Sequence, residues 1–84
     1  MVMVINGATV DDSLVLALAR AVNHPGLAQK LSLAHRFRSE VVNLSSRERA
    51  LVLTTLERGS PEFRALHAEL ARHPVWRSVV SRHS

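Results

Sequence analysis

The chain has 84 residues, no cysteine, and a formal charge of +4 in which ten arginines and one lysine outweigh seven acids. A domain of this length buries only about 60–65% of the surface its unfolded chain exposes, so each core side chain matters and self-association is the cheapest added support. The lack of cysteine excludes disulfides, thiolate metal sites and cysteine nucleophiles, and the longest apolar run, Leu14 to Ala19, is far short of the roughly 20 residues that cross a bilayer. No cationic leader precedes Asn6-Gly7, so a cytoplasmic protein is expected, with no membrane partner.

Met1 to Val10 is β-prone and contains Asn6-Gly7, the strongest short-range hairpin signal when apolar residues flank it. Strands of three or four residues are marginal alone in water. The segment is therefore expected as a hairpin packed on helices or as an extended arm, laid over the core or paired with another chain. From Asp11 onward the pattern is helical. The expected fold class is all-α, a compact bundle of four to five short helices with a short β-like N-terminal arm or hairpin; residues 1–10 form the arm and residues 11–84 a single helical domain.

Asp11 or Asp12 suits the cap of a first helix, and the LVLALARAV that follows is apolar on nearly every side apart from Arg20, as a buried central helix would be. Asn23-His24-Pro25-Gly26 stops it. Leu27, Leu31, Ala34, Phe37 and Val41 recur at threes and fours and predict a second helix from about Pro25 to Val42. Ser45 and Glu48 stand at capping-box spacing and open a third helix that carries Leu51, Val52, Leu53 and Leu56 to Gly59, read as a left-handed stop. Ser60-Pro61 restarts a helix with serine as cap, lined by Phe63, Leu66 and Leu70. Pro74 ends or kinks it, and Val75, Trp76, Val79 and Val80 predict a short fifth helix.

Residues 43–63 resemble the helix-turn-helix of DNA-binding families: a capped helix, a turn glycine and a second capped helix. The positions that pack the two helices together in that pattern are Thr54, Arg58 and Ser60 here, where the families carry apolar residues, and Pro61 interrupts the approach to the second helix. Leu44 to Arg49 also resembles the opening of the LuxR-type DNA-binding domain, over six residues only. Asp12-Ser13-Leu14 is similar to the tripeptide that bears the phosphopantetheine arm of acyl carrier proteins. Carriers place a long helix and loop before that serine and are acidic, whereas twelve residues precede Ser13 and this chain is basic.

His67 and His73 flank Glu69 but lie six residues apart, which misses the spacing of three or four that puts two ligands on one helix face. His24, His73 and His83 fall at helix ends, where an imidazolium would suit the local dipole or face water. No metal or other cofactor is expected. There is no glycine-rich phosphate loop, no G-x-S-x-G elbow and no paired carboxylates on an apolar surface, so the chain is not expected to be an enzyme.

Two binding surfaces are expected instead. Arg72, His73, Trp76 and Arg77 have the arginine and aromatic composition of binding hot spots, although Trp76 could equally close the open end of the bundle. With Val4 and Ile5 of the arm they form the expected interface of a small non-catalytic protein-interaction module, adaptor-, immunity- or inhibitor-like, whose partner is another protein and also a second copy of itself. The alternative is a nucleic-acid binder. Arg36, Arg38, Arg47 and Arg49 cluster near the junction of the second and third helices, and antiparallel packing across Asn43-Leu44 would gather all four at one end of the molecule.

Overall fold

In the computed structural model, which describes residues 2–83 and their side chains as far as residue 79, Asn6 and Gly7 both take left-handed backbone angles, φ 47° and 87°. Positive φ at both central residues is the type I′ turn, whose twist matches that of the strands it joins. The N-terminal segment is therefore a hairpin of β1 (Val2–Ile5) and β2 (Ala8–Asp11). The side chains of Val80 and His83, given core and helix-end roles from sequence, lie outside the described residues.

The chain continues through α1 (Asp12–Ala21), α2 (Pro25–Arg36), β3 (Val41–Val42), α3 (Ser46–Glu57), α4 (Pro61–Leu70) and α5 (Pro74–His83). The three strands form one sheet in the order β2-β1-β3. β1 pairs antiparallel with β2, placing Met3 opposite Val10 and Ile5 opposite Ala8, and parallel with β3, placing Val4 opposite Val41 and Ile5 opposite Val42. This corrects the all-α expectation. The protein is mixed α/β, helix-rich, with a three-stranded mixed sheet built around its N-terminal strand.

The physical reason lies at the end of α2. The helix was expected to reach Val42, yet it closes at Arg36 because Arg38 adopts φ 52° and the Ser39 and Arg38 amides fold back on the carbonyls of Ala34 and His35. This is a Schellman motif with arginine in the position that usually holds glycine. Released from the helix, the chain runs extended past β1, which donates from Val4 N to Glu40 O at 2.8 Å and from Asn6 N to Val42 O at 3.1 Å. The Asn6 carboxamide completes the union: its Oδ1 accepts from Leu44 N at 2.7 Å and its Nδ2 donates to Leu44 O at 3.1 Å.

Strand alternation sends Met3, Ile5, Ala8, Val10 and Val42 inward, where Val15 and Leu18 of α1, Leu27 and Leu31 of α2, Leu53 and Leu56 of α3 and Trp76 of α5 meet in one core. α1 is not wrapped on all sides as its composition predicted: Leu14, Leu16 and Ala17 stay half-buried while Val15, Leu18 and Ala19 are covered. The caps follow the sequence in part. Asp11 accepts from Ser13 N, and Ser45 and Glu48 form a reciprocal capping box. Ser60 occupies its cap position without a side-chain hydrogen bond. His24, expected at a helix end either against the dipole or facing water, caps the N-terminus of α2 by accepting from Leu27 N at Nδ1 (3.1 Å).

Gly59 is explained by contact rather than conformation. It is absent from the left-handed glycines, of which Gly7 is the example. A Cβ at position 59 would instead overlap the Phe63 ring and stand 2.9 Å from the Phe63 Cβ, and Phe63 is buried against the core. Gly59→Ala is therefore expected to lower stability by about 1–3 kcal/mol through overpacking, read as a drop in thermal midpoint; an unchanged midpoint would show that α4 shifts freely.

Candidate functional site

The pleat that fills the core also determines what faces outward. Opposite the inward row, Thr9, Val4 and Val41 stand side by side across β2, β1 and β3, with Val2 beside Asp11 one step along. No element covers them completely: Val2 is 58% exposed and Val41 60%, while Val4 is half-buried. Val2 and Val4 line an open hollow together with Arg38 and Glu40. Phe37, directly before Arg38, is 69% exposed, with the Arg36 guanidinium 5.7 Å from its ring centroid. Leu33, one turn earlier in α2, is also exposed. Apolar side chains displayed in this way mark contact surfaces more often than isolated exposures do.

Phe37 and Val41 belonged to the expected core stripe of a longer second helix. The Schellman turn takes both off that stripe and leaves them on the surface. Val2 and Leu33, by contrast, have no assigned place in the sequence pattern. The signal that could have found Val2 was the alternation of the hairpin itself, which places Val2 and Val4 on the face opposite Met3 and Ile5.

The residues expected at an interface separate into two groups. Trp76 is 1% exposed and Ile5 3%, so both lie in the core, and the indole Nε1 donates to the Ile5 carbonyl at 3.0 Å. The role that Trp76 takes is that of closing the bundle. Val4 lies on the outer sheet face, Arg77 and Arg72 are exposed, and His73 is half-buried between α4 and α5. Arg72 stands 3.5 Å from Glu69 in an exposed pair of the kind that contributes little.

The four arginines of the alternative site are not gathered by an antiparallel pair of helices across a short turn. β3 and its flanking loops intervene between α2 and α3, and α2 packs mainly on α1. Arg49 turns inward and donates from Nη1 to Leu44 O at 2.7 Å, the carbonyl that also receives the Asn6 carboxamide. Its Nε is buried, with no hydrogen-bond partner among the described residues. Arg47 is exposed on the first turn of α3, and Arg36 and Arg38 flank Phe37. Lys30 joins Glu48 at 3.1 Å and ties α2 to α3.

Other groupings are poorer in chemistry. A hollow of about 220 Å³ between α1, α3 and α4 is bordered by Thr54, Thr55 and Arg58, but both threonine hydroxyls donate to carbonyls of their own helix. His67 Nε2 lies 3.7 Å from Glu57 Oε1, within ion-pair range and beyond hydrogen-bond range, and it is buried with no hydrogen bond among the described residues. Among the described residues no three His, Cys, Asp or Glu side chains gather as metal ligands, and no helix is long and apolar enough to cross a membrane. Ser13, the serine of the carrier-like tripeptide, donates its hydroxyl to Asp11 at 2.8 Å. No protein-family model matches the chain, and no curated protein or solved structure matches it.

The Ser45 backbone N–H, assisted by Lys30, holds the Glu48 carboxyl below its ordinary value. The unfolded chain therefore binds that proton more readily than the folded one. The resulting stabilisation is complete above the ordinary glutamate range and is lost as pH falls through the lowered folded value. Glu48→Gln should be less stable than the parent by about 1 kcal/mol near neutrality, with the gap closing as pH falls below the ordinary glutamate range in paired thermal melts. A gap independent of pH would show that the carboxylate charge is not what stabilises this cap.

Proposed function

We propose that the chain is a small non-catalytic protein-binding module whose contact surface is the outer face of the sheet, extended by Leu33 and Phe37 at the end of α2. The observation that carries this reading is the exposure of Val2, Phe37 and Val41, each more than half open to water, in a domain whose other large apolar side chains are mostly covered. A chain this small has little apolar surface to leave unused, so a displayed valine face and a displayed aromatic ring are natural anchors for another protein. The cysteine-free sequence suits a reducing compartment, and the cytoplasm is the proposed location.

A second reading, nucleic-acid binding, draws on Arg36-Phe37-Arg38, an exposed ring flanked by two guanidinium groups. It is weakened by Glu40 beside them and by the inward commitment of Arg49.

The two readings separate in two measurements. Affinity purification from native cells with the parent and a Phe37→Asp, Val41→Lys variant side by side should enrich a partner with the parent alone; equal enrichment would contradict the proposed surface. Duplex DNA should not be retained even at about 50 mM salt, whereas retention there that falls by orders of magnitude at about 200 mM would favour the second reading.

A further inference from the structure

We infer that the outer sheet face closes on the same face of a second copy of this chain, about a two-fold axis that sets Arg38 of each chain against Glu40 of the other. The inference rests on the binding-module reading and names its occupant.

The charges around the hollow carry the argument. Arg38 and Glu40 border the same apolar floor of Val2 and Val4, and both side chains are exposed. Among the described residues neither forms an ion pair within its own chain, although the two stand only two positions apart. A rim with one cation and one anion beside an apolar floor is complementary in charge to itself when rotated by a half turn: the cation of each chain then meets the anion of the other. A polyanion laid on this floor would meet Glu40, with Asp11 beside Val2 as a further carboxylate on that face. An anionic lipid surface would meet the same repulsion.

Thr9, Val4 and Val41 form a straight lateral row in register, and two such rows can stack as faces of paired sheets do, about 10 Å apart. The open parts of Val2, Val4 and Val41 make only a small apolar floor in each chain, well below the roughly 800 Å² per partner of a standard interface. The dimer should accordingly be weak, with Kd on the order of 100 μM.

The experiment is sedimentation equilibrium on the full chain from about 10 μM to about 1 mM, a range that brackets that affinity. The parent should pass from monomer to dimer. Arg38→Glu alone and Glu40→Arg alone should each weaken association at least about tenfold, while an equal mixture of the two variants should recover it, because each then supplies the sign missing from the other. Val41→Glu should abolish dimerisation with an unaltered circular dichroism spectrum, which keeps the test independent of the left-handed backbone at position 38.

A parent that stays monomeric at about 1 mM overturns the second-copy proposal; if the Phe37→Asp, Val41→Lys variant still loses a heterologous partner, the binding-module reading survives that failure. A dimer indifferent to both charge reversals places its interface elsewhere and overturns the proposal equally, as does a mixture no more associated than either variant alone.

Discussion

The indole N–H of Trp76 donates to the Ile5 carbonyl across 71 residues of chain, and the sheet depends on that contact. Two four-residue strands and a two-residue third strand are too short to persist on their own backbone hydrogen bonds. They need an apolar surface beneath them. α5, packed on α3, brings the largest side chain of the protein under β1, the central strand, and the single polar atom of that side chain finds an acceptor on the strand itself. Trp76 thus supplies buried area and satisfied polarity together, which is what a wholly buried indole requires. One side chain ties α5 to β1.

The outer face is the consequence of the inner one. Once Met3 and Ile5 are committed to the core, Val2 and Val4 must look the other way, and the parallel pairing with β3 adds Val41 to the same side. The hydrogen bonds of Asn6 to Leu44 hold the hairpin tip to the chain that leads into α3, so the register cannot slip to hide those valines without breaking them. A surface that offers apolar floor and mixed charge is thereby built into the folding of the sheet.

Local chemistry was legible where one residue type has one physical use. Asn6-Gly7 signalled the hairpin turn, one of the two forms expected of that segment, Ser45 and Glu48 called for the capping box, and Pro25 and Pro61 for the starts of α2 and α4, and the structure has each of these; Pro74, expected to end or kink α4, instead opens α5 after α4 has closed at Leu70. What was not legible depends on partners distant in sequence. Val41 and Val42 continue the three-and-four spacing of α2, and only the parallel alignment with β1 makes them a strand. The stop before them is hidden as well, because arginine rather than glycine takes the left-handed position at residue 38. Gly59 misled in the opposite sense, since its missing Cβ makes room for Phe63 and not for a left-handed turn. Of the residues expected at an interface, Trp76 and Ile5 have the right composition and lie in the core, because composition cannot tell a hot spot from a plug.

The sheet depends most directly on α5, through Trp76. Trp76→Phe retains much of the apolar volume and removes the N–H, so that the Ile5 carbonyl loses its hydrogen bond to α5 while keeping its place in the hairpin, at a cost of about 0.5–1.5 kcal/mol. Amide hydrogen exchange reads the outcome residue by residue. Protection of the Val4 and Asn6 amides, the donors from β1 to Glu40 and Val42, should fall at least about tenfold more than that of amides within α2. Equal change in both places, or none in either, would contradict the claim that Trp76 holds the sheet in place.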